Sequence, residues 1–125
     1  MQRTFVAIAS ILAFLGVALG AFGAHGLAAV LAANGRADTF DTANQYHLLH
    51  ALALLGTAEA LTRWPGRLTH WAGYLFILGI VLFSGSLYLL AIFDLRFMGA
   101  IAPFGGVALL GGWACLGLAA WRNQP

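Results

Sequence analysis

The chain has 125 residues, of which 62% are hydrophobic and 8% charged, and its formal net charge is +2. Soluble domains carry about 25% charged residues, so this chain has too few to cover a water-facing surface, and lipid is the solvent that fits it. All six basic residues are arginine, and they lie at the ends of apolar stretches instead of forming one basic patch, which argues against a nucleic-acid partner.

Arg3, Arg36/Asp38/Asp41, Arg63/Arg67, Asp94/Arg96 and Arg122 divide the sequence into stretches of roughly 20 residues, each long enough to cross a bilayer as a helix. Only Glu59 falls inside a stretch, near its end. The expected fold is all-α, a membrane-embedded four-helix bundle in a single domain over 1–125, with a short interfacial helix between spans one and two.

The first span is predicted over 4–24. Arg3 followed by the apolar run from Phe5, with small residues at Ala18 and Gly20, resembles a secretory leader, but we read it as a retained first span. Residues 27–33 form a short Ala/Leu run closed by Asn34-Gly35, a helix stop, and are expected to lie at the membrane surface. The second span, 39–61, is the least apolar. Asp38 is its predicted N-cap, with Asp41 three residues on to suit the cap and the positive end of the helix dipole. The third and fourth spans are predicted over 70–93 and 98–121, with Pro103 in the first turn or two of the last, where a missing N–H costs least.

Apolar surface gives no drive for helices to associate in lipid, so small residues should line the contacts. Gly16 and Gly20 form a GxxxG pair in span one, Gly85 lies between Ser84 and Ser86 in span three, and Gly105, Gly106 and Gly112 run along span four. These glycines are the expected helix-packing positions.

Orientation follows from the arginines. One end of the bundle receives Arg3, Arg63, Arg67 and Arg122; the other receives Arg36 and Arg96 together with three aspartates. The positive-inside bias puts both termini in the cytoplasm of an inner membrane. Trp64, Trp71 and Trp121 fall on that same side, at the headgroup boundary.

Four histidines and Glu59 are the candidates for proton or metal chemistry. His25 closes span one. His47 and His50 lie about 13 and 18 Å along span two from Asp38 and share a face with Ala51, Leu54 and Ala58. An ionisable group at such depth is a functional-site hypothesis by default. Glu59 precedes Arg63 by four residues, the favourable order for a helix ion pair. No serine sits in a nucleophile elbow, no Gly-rich loop follows a strand and no paired carboxylates face one another, so no enzymatic activity, cofactor or metal is expected.

The runs Gly20 to His25, Tyr46 to His50, Leu82 to Tyr88 and Pro103 to Gly106, the last followed by Gly112-Trp113, resemble the YgdD/YwdK-like family of small four-helix inner-membrane proteins, over nearly the whole chain. That family is a domain of unknown function, so the resemblance implies a topology and no activity. Its pattern maps onto Gly20, Gly23, His25, Tyr46, His50, Ser84, Gly85, Ser86, Tyr88, Pro103, Gly105 and Gly106. It implies a polar cluster of His25, Tyr46, His50, Ser84, Ser86 and Tyr88 toward the outer leaflet, with His25 and His50 as its ionisable pair. The expected function is a non-enzymatic accessory subunit or a binder of a lipid-like molecule, with membrane lipids and a larger membrane complex or a homo-oligomer as partners. The alternative is a small-solute or proton-coupled transporter using the histidines.

Overall fold

The structure, a computed structural model, describes residues 1–123. These form six α-helices and no strand: α1 Gln2–Ala24, α2 Ala28–Asn34, α3 Ala37–Arg63, α4 Arg67–Gly79, α5 Gly85–Phe93 and α6 Ala102–Arg122. A π turn over Ile80–Ser84 joins α4 to α5, so the two make one long span. A 3₁₀ turn over Arg96–Ala100 leads into α6.

The chain is thus an all-α membrane protein built on four long helices. Three segments, Gln2–Ala24, Arg67–Phe93 and Arg96–Arg122, are long and apolar enough to cross a membrane. The fourth long helix, α3, has 27 residues, a length of about 40 Å. It is less apolar because one of its faces turns inward: His47, His50 and Thr57 are buried along it, where other helices take the place of lipid, while Leu49, Leu52 and Leu55 face outward.

Neighbouring spans run antiparallel. Phe5 and Ala9 of α1 pack against Leu54 and Ala58 of α3, while Gly23 at the other end of α1 closes on Phe40. Ala53 of α3 meets Ala72 and Phe76 of α4, and Phe40 meets Tyr88 of α5. The last span, α6, packs on α4 and the π turn. Gly112 lies against the Phe76 ring, and a Cβ added at Gly105 would fall on the backbone of Leu82 and Phe83. The expectation for glycine packing thus divides. Gly16, Gly20, Gly105 and Gly112 make close approaches, whereas a Cβ at Gly85 would meet nothing within 4 Å and one at Gly106 only the Phe83 ring at 3.8 Å.

The π turn accounts for the position of Gly85. Phe76, Ile80, Ser84 and Tyr88 are all buried, a spacing of four. Over those twelve residues an ideal α-helix turns about 120° further than three full turns, and would carry Tyr88 off the inner face. One inserted residue absorbs roughly 100° of that excess, as a π-bulge does. The bulge keeps Ser84 and Tyr88 facing α3 and swings Gly85 outward.

Helix ends differ from the sequence expectation by a few residues. The largest shifts are at α4, which begins at Arg67 instead of 70, and at α6, which begins at Ala102 with Pro103 in its first turn; Met98 belongs to the 3₁₀ turn. Asp38 is not the N-cap of α3. Arg36 holds that position, Phe40 N–H closes the first turn on the Arg36 carbonyl at 3.0 Å, and Asp38 lies in the first turn without a capping bond. Between spans one and two, α2 ends at Gly35, whose φ of 65° is the left-handed conformation glycine favours. The Asn34 amide donates to the carbonyls of Ala91 and Ile92 at 3.0 and 3.1 Å, and Arg36 Nε lies 3.7 Å from Asp94. This short helix therefore clamps the end of α5. At the opposite end Glu59 and Arg63 pair at 3.6 Å, both exposed.

Gly105→Ala should destabilise the bundle by about 1–3 kcal/mol through overpacking against the Leu82–Phe83 backbone, while Gly85→Ala should change stability by less than about 0.5 kcal/mol. Reversible unfolding in mixed detergent micelles measures both. Equal effects would contradict the packing described.

Candidate functional site

A polar network crosses the bundle from α1 through α3 to α5. The Asn44 amide donates to the Gly16 carbonyl at 2.8 Å and to the Tyr88 hydroxyl oxygen at 3.2 Å. His47 Nδ1 lies 2.8 Å from that hydroxyl and Nε2 lies 2.7 Å from the Leu12 carbonyl. A carbonyl only accepts, so the proton of neutral His47 sits on Nε2 and donates to Leu12. Nδ1 is then an acceptor, and Tyr88 O–H donates to it. Donors and acceptors match throughout.

The acceptors on α1 are already bonded within their own helix and use a second lone pair here. They are reachable because of the GxxxG pair. In an α-helix each side chain leans back over the preceding turn, so residues 16 and 20 would cover the carbonyls of Leu12 and Gly16. Both are glycine. A Cβ at Gly20 would lie 2.8 Å from Asn44 Oδ1, and one at Gly16 would lie 2.6 Å from Leu48 and 3.4 Å from the His47 ring. The side chains of α3 occupy the space that the glycines leave.

Next to the network, Ser84 Oγ donates to the Ala43 carbonyl at 2.8 Å, a bond the π turn makes possible by aiming Ser84 at α3. Ser86 instead donates to Phe83 O in its own span at 2.9 Å.

His50 belongs to a second arrangement. Its Nδ1–H donates to the Tyr46 carbonyl at 2.8 Å, and Nε2 accepts from the indole N–H of Trp113 on α6 at 3.0 Å. His47 and His50 therefore hold opposite tautomers. Tyr46 stacks on His50 with ring centroids 5.9 Å apart and planes at 15°, and packs against Phe83 at 4.8 Å. Phe76 completes the group at 5.0 Å from Trp113. Between α3 and α6, Tyr46, His50 and Trp113 border an apolar groove of about 330 Å³, open to lipid, with Leu109 and Gly106 on its α6 wall.

The structure therefore separates what the sequence reading grouped. Tyr88 and Ser84 meet α3 in the network; His50 and Tyr46 form the aromatic group; Ser86 joins neither. His25, predicted as His50's partner, is exposed at the end of α1, beside Phe22 and Gly26. His50 lies 13 residues from both ends of α3, about 20 Å from each, so it sits near mid-membrane and not toward the outer leaflet. Sequence reasoning missed Asn44 and Trp113 and set His47 aside. Asn44, His47 and His50, spaced at threes along one helix face, were the available signal. Among the described residues no group of three His, Cys, Asp or Glu side chains is placed to hold a metal, and both nitrogens of His47 and of His50 are committed to hydrogen bonds.

These features define a small polytopic membrane protein whose spans are joined by buried polar contacts. The family profile described as "Protein of unknown function (DUF423)" matches residues 19–106, and the chain belongs to that family. It is 42% identical over 121 residues to the UPF0382 inner membrane protein YgdD of Escherichia coli, covering 97% of this chain and 92% of the relative. It is 41% identical over 120 residues to the UPF0382 membrane protein YwdK of Bacillus subtilis, covering 95% of this chain and 97% of the relative. A UPF0382 membrane protein of Staphylococcus saprophyticus is 38% identical over 115 residues, covering 92% and 94%. No solved structure matches with significance.

Tyr88→Phe removes the donor to His47 and the acceptor for Asn44, and should cost about 1–2 kcal/mol of stability. Asn44→Ala should cost less in the Tyr88→Phe background than in the unaltered protein, because the two residues share partners. A double-mutant cycle in detergent reads the coupling; strict additivity would separate the two residues.

Proposed function

We propose that this chain is a non-enzymatic membrane protein that works by lateral recognition, binding a lipid-like molecule on the outside of the bundle. The observation that supports the reading is the saturation of the interior. Among the described residues Arg36 Nε is the one buried side-chain nitrogen or oxygen without a hydrogen-bond partner, and it lies at the α2 end, outside the network. A transport path needs polar groups free to exchange partners with a passing solute, and here they are engaged with neighbouring helices. The outer surface, in contrast, carries apolar grooves. Besides the one at His50, a groove of about 550 Å³ runs along the outward face of span three, floored by Gly85 and walled by Leu19 and Ile101.

In this reading both termini are cytoplasmic. Four arginines, Arg3, Arg63, Arg67 and Arg122, mark one end of the bundle, where residues 64–69, the turn before α4 and its first residues, meet the end of α6 and Tyr74 reaches Met1. The other end mixes Arg36 and Arg96 with three aspartates. A fluorescent protein fused after Pro125 should be fluorescent and an alkaline phosphatase fused there inactive; the reverse pattern would overturn the orientation.

Native mass spectrometry of protein released from its own membranes in mild detergent tests the function. A defined lipid-like mass retained on the chain is the expected result. Release with a larger membrane complex would replace ligand binding by an accessory-subunit role, and a bare monomer would count against lateral recognition altogether.

A further inference from the structure

We infer that the groove between α3 and α6 is a binding site for an uncharged lipid whose head is a planar ring bearing carbonyl oxygens, the quinone type. The inference rests on the lateral-recognition reading and names the site and ligand class.

Depth decides the charge of the occupant. Tyr46 lies nine residues into α3 and Trp113 eleven residues into α6, about 14 and 16 Å from those helix starts. The hydrocarbon core is about 30 Å thick, so the groove opens well inside it. A phosphate or ammonium head would have to be stripped of water to reach that depth, at a cost of several kcal/mol. A neutral, weakly polar head reaches it readily.

The lining decides the shape. Tyr46, His50 and Trp113 line the groove, and with Phe83 behind Tyr46 and Phe76 behind Trp113 they form a continuous run, in the order Phe83, Tyr46, His50, Trp113, Phe76, in which each ring lies within 6 Å of the next, centroid to centroid. They come from α3, α6 and span three, so the cluster exists only in the folded bundle. Such faces favour a flat ring in offset or edge contact. Aliphatic Leu109 and Leu110 continue the groove and suit a hydrocarbon tail, while Gly106 leaves room for the head.

Hydrogen bonding decides the chemistry. His50 already uses both nitrogens, and the indole N–H of Trp113 is given to His50. The Tyr46 hydroxyl is different. Its residue is 44% exposed on the lipid side, and the hydroxyl has no hydrogen-bond partner among the described residues. A phenol at that depth has no water to bond, so its O–H calls for an acceptor from outside the protein. A ring carbonyl supplies one. Few, well-placed polar groups in an otherwise apolar cleft are the usual composition of a small-molecule site.

The test titrates a decyl-substituted benzoquinone into the purified full chain in nanodiscs of zwitterionic phospholipid, following tryptophan fluorescence, which the quinone quenches. A saturable component is expected above the linear quenching by quinone dissolved in the bilayer. It should weaken about tenfold in Tyr46→Phe, which removes one hydroxyl and keeps the ring, and should vanish in Gly106→Leu, which fills the groove. Decylbenzene, with the same tail and no carbonyls, should not compete. Thermal unfolding of both variants checks that they fold, and Tyr46→Phe keeps the test decisive if Gly106→Leu does not. Quenching that never saturates, or saturable quenching that neither variant changes, would overturn the inference. If native mass spectrometry finds a different lipid on the chain while the quinone fails to bind, this inference falls and lateral recognition stands; if no lipid is retained and the quinone fails, both fall.

Discussion

Inside a bilayer a polar side chain has no water to fall back on, and every hydrogen bond it makes must come from the protein or from a molecule bound to it. The architecture of this chain follows from that constraint applied to α3. Its Asn44, His47 and His50 would be costly facing lipid, so the face of α3 that carries them has to be covered, and the three more apolar spans are arranged to do so. Each contributes a different kind of partner: α1 its backbone carbonyls, span three a phenol hydroxyl, and α6 an indole N–H. The segment with the weakest membrane-spanning composition is for this reason the one that each of the other three spans bonds to.

The same constraint ties small residues to polar ones. Gly16 and Gly20 allow close approach, as in many membrane helix pairs, and they also unroof two carbonyls that the facing helix uses. Enlarging either glycine would remove a packing surface and a hydrogen-bond acceptor together. The register of α1 against α3 is thereby fixed along the helix axis as well as around it, because both acceptors lie one turn apart and must meet two donors.

The element layout was largely legible in the sequence, because charged residues are so expensive in hydrocarbon that their positions mark the ends of the spans. Asn34-Gly35 marked the end of α2 for a similarly local reason. Partnerships across the bundle were not legible in the same way. His25 stands within a conspicuous motif, and its place at the end of span one was legible, but nothing local says that its side chain is left exposed there instead of turning in toward α3. Gly85 and Gly105 look alike in sequence, and only the phase of each helix tells which one is covered. That phase is changed by a π turn within Ile80–Ser84, a run of ordinary apolar residues and one serine with no breaker in it. Asn44 was overlooked as a lone amide; its meaning depends on the glycines opposite, twenty-four and twenty-eight positions earlier in the chain.

That extra residue in span three has a mechanical side. The helix below it is in phase with α6, through Phe76 and Gly112, and the helix above it is in phase with α3, through Ser84 and Tyr88. Restoring plain α-helical winding would rotate the upper half by about 100° while changing its length by only about 1.5 Å. Such a rotation would withdraw the Tyr88 hydroxyl from His47 and, in the same movement, turn the floor of the outer groove from glycine to a larger neighbour. The buried network and the lipid-facing groove on this helix are thus two faces of a single torsional coordinate.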